Sequence, residues 1–217
     1  MVVRVFTLKN VRYKNILEIA DLTIPSGKTT CIVGESGSGK TTLLKLLNHM
    51  LSCERGVILF KGEDIATLDP VQLRREVVML PQAPLIFPGT IKDNLLIGLQ
   101  FAEKPVVEDV LLVDMLDKFN LKKDLGDNVF ELSGGEKQRL AICRIMLMLP
   151  EVFLLDEPTS ALDDSTEEMA VEKMVEYAKD NQKTILMITH SQTVARKYGD
   201  VIVTMSEGKV LQVEEAG

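Results

Sequence analysis

Residues 34–42 read Gly34-Glu35-Ser36-Gly37-Ser38-Gly39-Lys40-Thr41-Thr42 and fit the pattern G-x-x-x-x-G-K-[ST]. The β-branched and apolar residues 29–33 before them are typical of a buried strand, and residues 43–47 after them of a helix. Glycines let successive backbone N–H groups point at phosphate oxygens, and the start of a helix adds partial positive charge there. A glycine-rich turn that happens to precede a lysine is the alternative, but the strand–loop–helix context favours a phosphate-binding loop.

Two side chains extend this loop's chemistry beyond the backbone. Lys40 supplies a mobile positive charge for the β- and γ-phosphates of a nucleotide, and the Thr41 hydroxyl can ligate Mg²⁺. We therefore predict that all of residues 34–42 contribute to nucleotide binding.

Composition limits the classes of function that the chain can have. Its 217 residues suffice for one domain with a distinct lobe, and 46% apolar with 26% charged residues is ordinary for a globular protein. The net charge of −7 argues against a nucleic-acid binder. The odd set Cys31, Cys53 and Cys143 has neither metal-ligand nor disulfide spacing, so we expect core packing and a reducing, intracellular setting.

No part of the sequence is predicted to cross a membrane. Arg4 and Lys9 interrupt the short apolar start, so we expect no signal peptide. The most apolar region, residues 140–155, is broken by Arg144, Pro150 and Glu151. If the protein works at a membrane, another chain must supply the spanning part.

The sequence predicts an α/β chain whose helices concentrate in one region. Strands are expected at 2–8 and 16–24, with a closing hairpin at 201–205 and 209–213. Helical periodicity at 90–99, 106–119 and 136–149 predicts a helical lobe over about 84–149. We therefore expect a single domain, 1–217, in which 1–83 and 150–217 form the catalytic core and an N-terminal β subdomain.

Polar residues follow three of the predicted strands. They are Gln82, the carboxylate pair Asp156 and Glu157, and His190. The carboxyl ends of parallel strands face the ligand crevice of an open sheet. Two consecutive carboxylates point in different directions, so one can reach Mg²⁺ while the other addresses a water. The alternatives are a turn glutamine, a surface carboxylate pair and a structural histidine.

Ser133, Gly134 and Gly135 stand at the start of the predicted third helix of the lobe. Backbone N–H groups there would form a second phosphate-binding corner, unless the serine is simply a helix cap beside a flexible loop. Tyr13, upstream of the phosphate loop, could stack its ring on a purine base or be merely a hairpin aromatic.

With these residues in hand, the chain resembles the nucleotide-binding subunit of an ATP-binding cassette (ABC) transporter, over essentially its whole length and in motif order. The matching segments are Gly34–Thr41 (Walker A), Gln82 (Q-loop), Leu132–Glu136 (signature loop), Phe153–Glu157 (Walker B), Ser160–Asp163 (D-loop), His190 (switch histidine) and Tyr13 (base-stacking aromatic). Glu136 stands where glutamine is also frequent. The signature loop separates this family from other P-loop ATPases.

The resemblance implies an α/β P-loop NTPase fold with a mixed sheet, an N-terminal antiparallel β subdomain and a helical lobe. It also implies ATP and Mg²⁺ as cofactors and a head-to-tail homodimer with two ATP molecules at its interface. The partner's Ser133, Gly134 and Gly135 would face the phosphate loop, and Asp163 would line the interface. A separate membrane permease would hold the chain at the cytoplasmic face of the cell membrane.

The resemblance further assigns roles around the terminal phosphate. Lys40 would hold phosphates, while Thr41, Gln82 and Asp156 would bind Mg²⁺ directly or through water. Glu157 would polarise the attacking water, and His190 would orient it.

Residues 81–87, Glu136–Arg139 and the short C-terminus resemble the ATPase subunit of bacterial iron-export systems. Two other classes compete with a transport ATPase. A soluble ABC-type ATPase acting on DNA or ribosomes usually has a coiled-coil insertion or a second cassette, which this acidic chain lacks. A non-hydrolysing sensor would be expected to have lost Lys40, Asp156, Glu157 or His190.

Overall fold

Two β-sheets and seven α-helices make up the computed structural model, which describes residues 3–216. The strands are β1 (Arg4–Tyr13), β2 (Leu17–Pro25), β3 (Thr29–Gly34), β4 (Arg55–Phe60), β5 (Glu63–Asp64), β6 (Val77–Leu80), β7 (Val152–Asp156), β8 (Thr184–Ile188), β9 (Val201–Ser206) and β10 (Lys209–Glu215). The helices are α1 (Lys40–Leu47), α2 (Pro70–Glu76), α3 (Ile91–Phe101), α4 (Asp109–Lys118), α5 (Gly134–Met148), α6 (Asp164–Asp180) and α7 (Gln192–Tyr198).

The larger sheet has six strands in the order β10-β9-β3-β8-β7-β6. All neighbours in it are parallel except β10, which pairs antiparallel with β9. The second sheet is antiparallel, with the order β2-β1-β4-β5. The predicted mixed-sheet core and N-terminal antiparallel sheet are therefore confirmed. Residue 2, where the first strand was expected to begin, lies outside the described residues.

The larger sheet separates two hydrophobic cores. Along β7, Phe153 and Leu155 join the core that contains α3, α4 and α5. Val152 and Leu154 point the other way, into the core shared with α1 and the antiparallel sheet. All four side chains are fully buried, which is why the strand reads as a continuous apolar run.

The helices between residues 91 and 148 occur where periodicity predicted helices, with altered ends. Helix α4 begins at Asp109, three residues later than expected, since the backbone of Glu108 before it is still extended. Helix α5 begins earlier, at Gly134, because Ser133 caps it. Residues 140–146 of α5 are all buried, so the helix runs through the centre of its core.

Helix α7 was not predicted. It begins after Ser191, whose hydroxyl accepts a hydrogen bond from the Val194 amide. That serine was the available signal, since serine is a preferred helix cap.

Two of the three cysteines pack in the core, as the sequence analysis expected. Cys31 and Cys143 are buried in the core and Cys53 is half-buried, all as free thiols. Burial raises the pKa of Cys31 to about 12, so the thiol is neutral and serves packing. Within residues 3–216, no helix combines the length and apolarity needed to span a bilayer.

Two hairpin turns meet beside the phosphate loop. Gly208, between β9 and β10, has φ of +77°, and a Cβ there would lie 2.2 Å from the Ile16 carbonyl oxygen in the β1–β2 turn. Its amide donates to the Ser38 carbonyl at 3.2 Å, and its carbonyl accepts from the Glu18 amide at 2.8 Å. The antiparallel sheet is thereby fixed against residues 34–39.

Candidate functional site

The phosphate loop joins β3 to α1 and folds around the ammonium group of Lys40. Lys40 is buried, and its Nζ donates to the carbonyl oxygens of Gly34 and Glu35, each at 2.8 Å. Gly34 must be glycine, because its φ is +148° and a Cβ would lie 2.1 Å from the Met205 carbonyl oxygen. The loop therefore holds the Lys40 ammonium group among its own backbone carbonyl groups.

The remaining loop residues differ in their exposure. Glu35, Ser36 and Gly37 form the outer part of the loop and are all exposed to solvent, whereas Ser38 and Gly39 are buried. Thr42 is half-buried in the first turn of α1.

Thr41 and Asp156 place two oxygen atoms close together below the loop. The Thr41 hydroxyl donates to Asp156 Oδ1 at 3.0 Å. Burial raises the pKa of Asp156 above its ordinary value; the Thr41 hydrogen bond opposes this rise and the neighbouring Glu157 charge adds to it. A buried carboxylate that carries one hydroxyl partner is suited to a cation. These two oxygens can hold a hard metal ion such as Mg²⁺.

Glu157 is held through both of its carboxylate oxygens. Gln82 Nε2 donates to Oε2 at 2.7 Å, and His190 Nε2 lies 2.7 Å from Oε1. The three residues meet because β6, β7 and β8 are parallel neighbours whose carboxyl ends share one edge. Glu157 also has φ of +48°, a left-handed backbone that is uncommon for a non-glycine residue.

A cavity of about 250 Å³ adjoins the Glu157–His190 pair. Its walls include Thr159 and Glu167, and the Thr159 hydroxyl donates to Glu167 Oε1 at 2.8 Å. The cavity leaves polar, open space for water beside the Glu157 carboxylate.

Ser133 begins α5 with a reciprocal pair of hydrogen bonds. Its hydroxyl accepts from the Glu136 amide at 3.3 Å, and the Glu136 carboxylate accepts from the Ser133 amide at 2.8 Å. These bonds with Ser133 hold the pKa of Glu136 below its usual range. Ser133 is therefore a helix cap, while the amides of Gly134 and Gly135 stand in the first turn, where N–H groups have no partner within the helix.

The Ser133 corner lies apart from the phosphate loop. Among the bonds of residues 3–216, none joins Ser133 to residues 34–42. Its neighbour in space is the segment before α6, since a Cβ on Gly135 would lie 3.4 Å from the Ala161 carbonyl oxygen.

Asp163 and Tyr13 occupy turns at the margins of the site. Asp163 caps α6, accepting from the Ser165 hydroxyl at 2.6 Å and the Thr166 amide at 3.1 Å. The Ser165 and Thr166 bonds hold its pKa well below the usual range. Tyr13 ends β1 and is half-buried, with the Lys14 ammonium 5.1 Å from its ring centroid. Its hairpin turn approaches the loop at Gly39.

Sequence reasoning missed two residues that support this site, Asn94 and Arg144. Both are buried polar side chains on lobe helices, and both bind the segment that follows β6 and carries Gln82. The available signal was a polar residue at a position of each predicted helix that faces the apolar core.

This chain matches a family of known proteins. The family model described as ABC transporter matches residues 17–160. The chain belongs to the ABC transporter family. The resemblance seen in the sequence rested on residues at three places in this structure. These are the phosphate loop, the sheet edge with Gln82, Glu157 and His190, and the Ser133 corner.

Several ABC proteins are similar to this chain over most of its length. A probable iron export ATP-binding protein, FetA of Escherichia coli (strain K12), is 36% identical over 91% of this chain and 89% of its own. ABC transporter B family member 1 of Arabidopsis thaliana is 34% identical over 95% of this chain, which spans only 17% of that protein.

Solved ABC structures show the same fold. A dimeric ATP-binding cassette in a post-hydrolysis state with ADP and Pi superposes with a TM-score of 0.87 at 28% identity, covering 98% of this chain and 99% of its own. A bacterial Atm1-family ABC exporter with ATP bound gives a TM-score of 0.88 at 28% identity, covering 100% of this chain and 40% of that one. The chain therefore has the fold of an ABC ATPase domain.

Proposed function

We propose that this chain is the ATP-hydrolysing subunit of an ABC transporter. Two copies would sandwich two ATP molecules and pass their closure to a separate membrane-spanning subunit. One observation supports this proposal most directly. Glu157 is hydrogen-bonded to Gln82, contacts His190, and lies at the same sheet edge as the Thr41–Asp156 pair below the phosphate loop. That arrangement supports hydrolysis at the terminal phosphate of a bound nucleotide.

Each group has a distinct task in this proposal. Lys40 and the loop amides hold the phosphates, and Tyr13 stacks on the base. Glu157 accepts a proton from the attacking water as the water oxygen bonds to the γ-phosphorus and the bond to ADP breaks. His190 orients that water and contacts the γ-phosphate.

The donor set fits Mg²⁺. Thr41 Oγ1 and Asp156 Oδ1 are hard oxygen ligands, and Gln82 keeps its amide oxygen available because its Nε2 binds Glu157. Within residues 3–216, no group of three or more His, Cys, Asp or Glu side chains is arranged to hold a metal. Water and phosphate oxygens would complete the coordination of Mg²⁺. When bound, Mg²⁺ would neutralise phosphate charge.

The separate Ser133 corner supports a two-subunit site. Because Ser133, Gly134 and Gly135 lie apart from their own phosphate loop, their amides would contact the γ-phosphate held by a second copy, with Asp163 along the interface. ATP bridging both copies favours the closed dimer, and hydrolysis removes the bridging charge.

Cargo and location belong to the membrane partner in this proposal. The likeness to FetA, over nine-tenths of both chains, supports metal export, iron above all. The chain would then be held at the cytoplasmic face of the cell membrane by its permease. Co-purification from membranes, with metal accumulation measured after deletion, tests this assignment.

Ser133→Arg tests the two-subunit site. We expect hydrolysis to fall by about 100-fold or more, because the bulky side chain keeps the partner's phosphate away from the backbone amides at this corner. ATP affinity of the dilute monomer should stay within about threefold, since Ser133 does not touch its own loop. A large loss of monomer affinity would contradict the proposal.

The control for lost helix capping is Asp69→Ala. Asp69 caps α2 by accepting from the Val71 and Gln72 amides at 2.9 and 2.8 Å. This variant should lose a comparable helix cap while keeping wild-type turnover.

A further inference from the structure

Arg144 is a buried cation without a carboxylate partner. Only 7% of it is exposed, and within residues 3–216 it forms no ion pair. Its Nη2 donates to the Leu85 carbonyl at 2.6 Å and its Nη1 to Asn94 Oδ1 at 3.4 Å. Burial lowers the pKa of Arg144 to about 10, so the side chain remains charged at neutral pH. A charge buried at this cost calls for a role in the contacts that it makes.

Those contacts reach one irregular segment, residues 81–89, either directly or through Asn94. The Arg144 guanidinium lies 5.1 Å from the Phe87 ring centroid. The fully buried Asn94 accepts from the Phe87 amide at 2.9 Å and donates to the Phe87 carbonyl at 2.8 Å. Gln82 belongs to this segment, three residues before Leu85. Side chains of α3 and α5 therefore fix a stretch that has no hydrogen-bonding ladder of its own.

The helix that carries Arg144 is itself fixed relative to Glu157. Gln138, also on α5 and fully buried, donates its Nε2 to the Pro158 carbonyl at 2.6 Å. Helix α5 thus contacts the segment after β6 through Arg144 and the segment after β7 through Gln138. Gln82 and Glu157 meet at 2.7 Å between these two attachments.

Resting on the proposed function, we infer that Arg144 is a positioning residue for ATP hydrolysis, which holds the 81–89 segment so that Gln82 can bind Glu157. Within residues 3–216, Arg144 has no hydrogen bond to the phosphate loop or to Glu157. It acts only through the place that it gives to Gln82. Loss of its guanidinium should therefore misplace Gln82 and leave the phosphate loop unchanged.

A double-mutant cycle with Gln82 tests this role. Arg144→Met keeps the apolar stem and removes the guanidinium. We expect kcat to fall about tenfold or more with the KM for MgATP within about threefold, because misplacement by about 1 Å near the chemistry has effects of that size. In a Gln82→Ala background the same change should lower kcat less than about twofold. If the fold-loss in kcat of the double variant equals the product of the two single losses, the inference is overturned.

Two companion variants separate positioning from general stability. Arg144→Lys keeps the charge but loses the planar fork of donors, and should restore part of the lost kcat. Ile142→Val opens a small cavity in the same helix, away from residues 81–89, and should keep wild-type kcat. Equal losses in Ile142→Val and Arg144→Met would identify a merely structural effect.

Hydrogen–deuterium exchange gives a readout that does not need turnover. Peptides covering 81–89 should exchange faster in Arg144→Met than in wild type or Ile142→Val. Unchanged exchange there would overturn the positioning role alone. Wild-type hydrolysis no higher than that of Lys40→Met would instead show that the proposed function has failed.

Discussion

His190 Nε2 lies 2.7 Å from Oε1 of Glu157, across the ends of two adjacent parallel strands. This pair places an imidazole and a carboxylate in direct contact beside a cavity open to water. The contact fixes one carboxylate oxygen, and Gln82 fixes the other. Glu157 is therefore oriented before any nucleotide arrives.

Glu157→Gln should separate ATP binding from hydrolysis. The amide keeps the shape of the side chain but cannot take a proton from water, so we expect hydrolysis to fall by about 10²–10⁴-fold. MgATP should still bind and should produce a dimer on size exclusion. Glu151→Gln, near the opposite end of β7, is the matched control and should hydrolyse normally. An unchanged rate in Glu157→Gln would remove Glu157 from its role.

Lys40→Met should weaken nucleotide binding. It removes the ammonium group that donates to the Gly34 and Glu35 carbonyls and that would pair with the phosphates. We expect affinity for a fluorescent ATP analogue to fall about 10–100-fold, the range for a charged hydrogen bond. Lys9→Met, on the exposed side of β1, should bind like wild type. Equal affinities for the two variants would contradict the assignment.

Asp156→Asn should stabilise the nucleotide-free protein at neutral pH. Burial raises the pKa of Asp156, so between about pH 4 and the raised value the native state binds more protons than the unfolded state. Stability consequently falls as pH rises through that window. Asparagine removes the cost of burying a charged carboxylate, while its amide oxygen can still accept a hydrogen bond from the Thr41 hydroxyl.

Thermal unfolding at several pH values tests whether Asp156→Asn stabilises the protein. The Tm of Asp156→Asn should exceed that of wild type at pH 7, with the difference shrinking as the pH approaches 4. Asp114→Asn, exposed on α4, should leave Tm unchanged. Addition of Mg²⁺ and ATP should raise the wild-type Tm more than the variant Tm, because the variant has lost a ligand charge. A lower variant Tm at pH 7 would contradict the burial argument.

Gly34→Ala should destabilise the fold itself. The added methyl would lie 2.1 Å from a backbone carbonyl of β9, which cannot move without breaking the pairing of β3 with β9. We expect a loss of about 2 kcal/mol or more in the free energy of unfolding, measured by urea titration. Gly126→Ala, whose Cβ would meet nothing within 4 Å, is the control and should change stability little.

Local patterns were enough to predict much of this fold. The strand–loop–helix around Lys40 depends on neighbouring residues, so sequence was sufficient there. Gln82, Glu157 and His190 were predicted to meet because parallel strands bring their carboxyl ends to one edge, and the hydrogen bonds agree.

Features that depend on tertiary contacts were predicted less well. Strand β1 continues to Tyr13, five residues past the expected end, because it pairs with both β2 and β4 across a register shift after Lys9. The roles of Asn94 and Arg144 depend on the path of residues 81–89. No short-range pattern encodes that path.

The meeting of Gly208, Ile16 and Gly39 beside the phosphate loop has a practical consequence. Dyes attached through Lys14 or Glu207, in the two turns concerned, would sit close enough to report nucleotide arrival optically. The same closeness makes both turns poor places for affinity tags or inserted peptides.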